Sequence, residues 1–266
     1  MSKAVPGGSG GSAPRASRAP RGEAPPPAVQ HLLVRYAKRG KMRFASHLDV
    51  ARAFERGVRR AGLPVAHSAG FTPHPKISYA GGAPTGVASE AEYLSLALTT
   101  RHEADVVGAR LNAALPDGID VIAVTEDAGG LPASRLTASE WQVILPGVTP
   151  EVVAPVIEKF LALEHAHVER LTQKGVRRMD ARSAVVTLDV DSVDTHSVTP
   201  LMGGLPVPPC PPGTALRMVV RHTVPAVRPD DVLTALREVS DVVPAAPPLM
   251  TRLAQGSLGE SGVVEP

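Results

Sequence analysis

Cysteine is almost missing from this chain, and aromatic side chains are scarce. The single cysteine, Cys210 in PVPPCPPG, excludes an intrachain disulfide and a cysteine-based metal cluster. Aromatic residues make up 3% of the sequence, so any core must be built mostly from Ala, Val and Leu, which a hydrophobic fraction of 43% permits. No apolar run approaches the ~20 residues that a membrane helix requires. The N-terminus carries Lys3 with no apolar segment behind it, which does not read as a secretory signal. Also missing are a GxxxxGKS/T phosphate loop, a supported Ser-His-Asp set and a supported pair of hydrolytic acids. The expectation is a cytoplasmic chain with no membrane partner and no cofactor.

What is present is an uneven distribution of charge. Residues 1–60 hold 13 Lys/Arg against 3 Asp/Glu, a balance of +10; the whole chain carries only +2, so the remainder carries −8. A basic end on an otherwise acidic protein points to a located anion-binding surface. Arg outnumbers Lys 22 to 6, so the position of an Arg says more than its type.

The 266 residues allow one large domain or two small ones. Residues 1–29, rich in Gly, Ser, Ala and Pro with scattered Arg, read as a disordered basic tail. From residue 30 the pattern becomes regular. Leu32, Val34 and Tyr36 alternate as in a strand, and KRGK at 38–41 makes a turn. A helix then follows over 47–61, with Leu48, Ala51, Phe54, Val58 and Ala61 at helical spacing. PVAHSAG and KISYA read as two extended pieces interrupted by a loop. A strand at 90–100, a helix at 103–115 and a strand at 118–127 complete the order β-α-β-β-α-β, that of the ferredoxin-like fold. After a linker at 128–138 a weaker version follows: strand 139–146, helix 150–171, strands 183–190 and 214–224, helix 229–239, and no evident final strand. Residues 191–213 read as a Pro/Gly-rich loop and 243–266 as a Pro-rich tail with little order. The expected fold class is α+β: a ferredoxin-like domain at 30–127, a second, incomplete ferredoxin-like half at 139–242, and disordered tails at both ends.

The first helix concentrates the charge. Arg52, Arg56, Arg59 and Arg60 form a stripe roughly opposite its apolar side, and Arg43 precedes it. Two readings stand. Either the stripe is a solvated face with Glu55 pairing to Arg59 at i,i+4, or the planar guanidinium forks are gathered for a polyanion such as a phosphate backbone. Ser46 and Asp49 have the spacing of a capping box. His47 sits at the first helical position, where a helix start disfavours a cationic imidazole and attracts anions. The loop GFTPHPKIS at 70–78 is stiffened by Pro73 and Pro75. It is either a rigid turn with Phe71 tucked into the core, or a device that presents Phe71 for stacking, His74 as donor or acid, Lys76 as charge and Ser78 as hydroxyl. An aromatic beside basic groups suits single-stranded nucleic acid. His47, His67, His74 and Asp49 match no metal-ligand spacing, and the surrounding Arg would repel a cation; no metal is expected.

The run at 35–98, with RFASHLD, RAGLPVAHSAGFTPHPKIS and GVASEAEYL, resembles the radical-SAM-linked protein family, and RRMDAR at 177–182 resembles a second block of it. The resemblance implies a standalone partner of a radical S-adenosylmethionine enzyme, because the CxxxCxxC that would hold such an enzyme's iron–sulfur cluster is missing. Genes for RNA processing and ribosomal proteins often neighbour that family, which implies a link to RNA. Two departures are Gly57, where Ala is usual, and YAGGAPTG, where an apolar Pro-Leu segment is usual. The expected function is an RNA-binding accessory protein, more an accessory subunit than an enzyme, using Arg43, Arg52, Arg56, Arg59, Arg60, Phe71, His74, Lys76 and Ser78. Two alternatives remain open. One is a metal-independent endoribonuclease with His47 or His74 as acid or base; the other is a scaffold whose basic face docks the radical enzyme.

Overall fold

The computed structural model describes residues 25–69, 71–127, 133–172, 175–191, 213–260 and 262–266. Residues 1–24 of the expected basic tail, Gly70 of the loop, and 192–212 with Cys210 lie outside the described residues.

The fold is a mixed α/β arrangement of one large, mostly antiparallel sheet and five helices. The first half contains β1 (Gln30–Lys38), α1 (His47–Arg60), β2 (Ile77–Ala80), β3 (Ala88–Leu98), α2 (Ala104–Ala114) and β4 (Ile119–Glu126). β1 lies between β4 and β3, and β2 lies on the far side of β3, every pairing antiparallel. The second half contains β5 (Ala138–Pro146), α3 (Pro150–Leu161), β6 (His167–Thr172), β7 (Gly175–Asp180), α4 (Ala181–Ala184), β8 (Val185–Asp191), β9 (Gly213–Arg221), α5 (Pro229–Glu238) and β10 (Leu249–Gly259). β5 lies between β10 and β9, and β8 flanks β9, again all antiparallel. The halves join where β10 runs parallel to the start of β3, Thr251 facing Ala88 and Arg252 facing Ser89. A short β11 (Gly262–Val264) turns back on β10.

Period-two alternation sorts the first half into two faces. Leu32, Val34, Leu94, Leu96 and Leu98 pack beneath α1 and α2, against Phe54, Val58, Val107 and Leu111. Leu33, Ala91 and Tyr93 face the other way and meet Leu136. The second half has its own apolar core, in which Val143, Leu145, Leu216 and Met218 from the sheet meet Val156, Phe160, Val232 and Leu236 from the helices.

Several expectations are corrected. The buried side of α1 is Val50, Ala53, Phe54, Gly57 and Val58, whereas Leu48 is 64% exposed. The apolar stripe is rotated toward Gly57, where α2's end approaches closely; a Cβ there would meet Leu115 Cδ2 at 2.9 Å. The helix expected over 150–171 stops at Leu161, and 167–180 form the β6–β7 hairpin. Phe160, Val168 and Leu171 fit a helical period, but only Val168 of the hairpin's first strand is buried while Leu171 is 80% exposed. The largest correction concerns 243–266. Instead of a tail, the chain supplies β10, which completes the second half and joins it to the first. Its pattern hid it: Arg252 and Gln255 are buried polar residues in a strand that periodicity reads as polar. The linker expected over 128–138 includes a 3-10 turn at Ala133–Arg135 and the first residue of β5.

Asp180, within the RRMDAR block, organises the corner between β7 and α4. One carboxylate oxygen accepts from the backbone N–H of Ala166, Arg182 and Ser183 at 3.0, 3.1 and 3.3 Å, and the other meets His165 Nδ1 at 2.8 Å. Burial alone would raise its pKa, but these donors outweigh it and bring the carboxyl down to about 2. Asp180→Ala is expected to lower stability by about 2 kcal/mol at pH 7. A depressed carboxylate contributes stability above its unfolded pKa, near 4, and loses it as pH falls through the folded value. The gap between variant and parent, followed by urea unfolding, should therefore narrow between about pH 4 and pH 2.

Candidate functional site

Ser46 and Asp49 close the start of α1 as a capping box. Asp49 N donates to Ser46 Oγ at 3.2 Å and Ser46 N donates to Asp49 Oδ2 at 3.1 Å. The Ser46 side-chain and backbone donors hold the Asp49 carboxyl below its usual pKa, helped by Arg52 and Arg56 one and two turns on. Both residues are thus occupied in forming the helix.

Beyond this cap Arg52, Arg56 and Arg59 stand exposed, and none forms an ion pair with a described residue. Glu55 does not pair with Arg59. Arg60 is drawn away from the stripe: its Nη1 donates to the Ala114 carbonyl at 3.0 Å and so caps the C-terminal end of α2. Arg43 lies in a 3-10 turn before α1, half-buried, its guanidinium 4.7 Å from the Phe44 ring centre; burial lowers its pKa.

The loop is a small hairpin. Val65 bridges to Leu98 and His67 to Pro75, and Ser68 N donates to the His74 carbonyl at 2.9 Å while Ser68 Oγ accepts from His74 N at 3.0 Å. At its tip Phe71 is 77% exposed, so it is not tucked into the core. The hairpin is tied at one end to the close of α1 and at the other to β2, whose Tyr79 hydroxyl reaches the Ala51 carbonyl of α1 at 3.5 Å. Loop and helix therefore share the β2 edge of the sheet.

The same alternation divides the remaining candidates. Ile77 and Tyr79 pack toward α1, whereas Ala80 packs on the opposite face with Tyr93. Ser78, opposite Ser95, and by parity Lys76 stand on the face away from α1. They do not join the arginine stripe on one surface. His47 and His74 are also apart. His74 precedes β2, whereas His47 lies past its other end, its ring centre 5.2 Å from that of Tyr79 and its Nδ1 beside Gly82. Among the described residues no three His, Cys, Asp or Glu side chains gather as for a metal.

A second constellation, which sequence reasoning missed, occupies the joint between the halves. Arg252 is 3% exposed. Its Nε donates to Ser89 Oγ at 3.3 Å, its Nη1 to Gln255 Oε1 at 2.5 Å and its Nη2 to Glu92; its guanidinium lies 5.5 Å from the Trp141 ring centre. Glu92 Oε2 also accepts from Ala83 N at 3.1 Å. Lys38, equally buried, donates to the carbonyls of Ala83 and Pro84 at 3.3 and 3.2 Å, and burial lowers its pKa. The 81–86 turn is thus held by one buried cation, Lys38, and one buried acid, Glu92.

Against this joint lies a cavity of about 370 Å³, lined in part by Gln255, Ser139, His222, Arg228 and Trp141. His222 Nδ1 is 2.7 Å from the Leu136 carbonyl, which only accepts, so the proton sits there and Nε2 accepts from Ser139 Oγ at 2.7 Å. Burial lowers the His222 pKa, partly offset by the Leu136 carbonyl and reinforced by Arg252, which keeps the ring neutral. No signal in the sequence could have gathered residues from positions 81 to 255.

Removing one partner of a buried ion pair strands the other. Arg252→Ala and Glu92→Ala are each expected to cost about 3–5 kcal/mol in denaturant unfolding, and the double substitution less than their sum.

Comparison with known families adds one finding. No curated protein matches the chain. Residues 31–229, the greater part of its length, match the family model described as an uncharacterized protein conserved in bacteria, DUF2344. The segment spans β1 to the start of α5, including the basic helix, its loop and the 81–86 turn. The chain belongs to the DUF2344 family.

Proposed function

We propose that the protein is an RNA-binding accessory that works with a radical S-adenosylmethionine enzyme in RNA modification or processing. The observation that carries the RNA part is the outer side of α1, where Arg52, Arg56 and Arg59 are exposed with no ion pair among the described residues. Three guanidinium forks held at one helix surface repel one another unless an anion lies across them, and a phosphate backbone supplies repeated anions at that scale. Phe71 at the hairpin tip on the same sheet edge offers a base-stacking face. The radical enzyme as partner rests on the resemblance of residues 35–98 to the radical-SAM-linked family. On this reading each half is a ferredoxin-like unit, supported by the repeated order of one strand between two neighbours with a fourth outside. The domains are then 30–127 and a second unit from 139 that runs on through β10.

The contact set is narrower than the sequence suggests: Arg52, Arg56, Arg59 and Phe71. Arg60 serves α2, and Ser78 and Lys76 face away. His47 and His74 flank opposite ends of β2, so the endoribonuclease alternative would rest on one of them alone as acid or base.

In filter binding to single-stranded RNA, affinity should fall with salt, and replacing Arg52, Arg56 and Arg59 together by Ala should reduce the log–log slope by about 2. Phe71→Ala should weaken binding by about 1–3 kcal/mol with the slope unchanged. A triple variant with unaltered affinity and slope overturns the RNA reading; if that variant instead loses nuclease-resistant co-purification with the radical enzyme, the basic face docks protein.

A further inference from the structure

The cavity at the joint between the halves has features that the packing of the fold does not use. Gln255 is fully buried, and its Nε2 has no hydrogen-bond partner among the described residues. The amide orientation is fixed by chemistry: Arg252 Nη1 can only donate, so the atom facing it at 2.5 Å is Oε1 and the other is a donor. A buried donor without an acceptor is costly, and a native fold keeps one where a ligand, ion or water supplies the acceptor. Gly81 protects this arrangement. Its φ is +59°, and a Cβ there would come within 2.6 Å of both terminal atoms of the Gln255 amide.

The other lining groups suit the same kind of guest. Arg228 stands exposed at the cavity edge and makes no ion pair among the described residues. Ser139 Oγ, whose hydrogen is donated to His222 Nε2, has lone pairs left to accept from a donor elsewhere on the ligand. Trp141, Val227 and Pro84 supply apolar wall, and no acidic side chain lines the cavity. Glu92 neutralises Arg252 from behind. The volume falls within the range of small-molecule sites.

We infer that this cavity binds a small molecule with an oxyanion head, a carboxylate or phosphate, received by Gln255 Nε2 and the Arg228 guanidinium. Arg52, Arg56 and Arg59 are not among the residues that line the cavity, and the inference does not depend on the RNA reading.

The test uses thermal unfolding of the full chain titrated with inorganic phosphate in one arm and acetate in the other, against chloride at matched ionic strength. At least one anion should raise the midpoint saturably, and the stronger names the head group. Gln255→Glu keeps an oxygen toward Arg252 but replaces the donor by a second acceptor with negative charge. Ala226→Trp fills the cavity from its exposed rim, and Ala226 contributes only its carbonyl, to Arg170. Each should weaken the response about tenfold or more, as expected for losing a hydrogen bond to a charged group. The triple Arg52, Arg56 and Arg59 variant should keep the response in full. No saturable rise with either anion, or equal rises in Gln255→Glu and Ala226→Trp, overturns the inference.

Discussion

One buried guanidinium ties the two halves of this sheet together. Backbone pairing between β3 and β10 extends over two residue pairs, too few to fix a joint alone. Arg252 reaches from β10 to Ser89 and Glu92 on β3, to Gln255 on its own strand and to the face of Trp141 on β5. Such a pairing contributes little net stability, because both ions lose their water. Its value is geometric. Guanidinium and carboxylate have one arrangement that leaves neither unpaired, and that arrangement fixes how the halves meet. Other features follow: the 81–86 turn is drawn over Glu92 and Lys38, Gly81 must lack a side chain, and Gln255 is left with a buried donor that no described residue accepts.

The protein thus presents two chemically different surfaces. On α1, Arg52, Arg56 and Arg59 are exposed and form no ion pair among the described residues, which suits a long flexible polyanion approached from solvent. At the joint, cations are recessed and partly neutralised by Glu92, and discrimination rests with fixed hydrogen-bond donors. Belonging to the DUF2344 family sets the extent of the shared pattern without assigning either surface a role.

Local chemistry was readable wherever one segment decides it. The capping box at Ser46 and Asp49 and the strand alternation of β1 each need only neighbouring residues. Register within α1 was harder, since Gly57 counts as neutral in a periodicity but marks the close approach of α2. The β6–β7 hairpin was ambiguous because Phe160, Val168 and Leu171 satisfy a helical period by accident of spacing. β10 escaped because its defining residues are Arg252 and Gln255, and polar residues are readable as interior only when their partners are known. For the candidate site, the arginine stripe was evident, but Lys76 and Ser78 were grouped with it by proximity in sequence; in a strand, odd and even positions lie on opposite faces. The joint cavity draws on residues more than a hundred positions apart and has no local signature.

The position of β10 in the chain has a further consequence during synthesis. It is translated after β3 and β5, the two strands it comes to lie between. Until it leaves the ribosome, β5 has an open ladder of amide and carbonyl groups along one side, while β3, paired by β2 farther along, lacks its partner only at Ala88 and Ser89. The nascent protein therefore passes through an interval with the β5 margin unsealed, when pairing with a neighbouring polypeptide competes with its own completion.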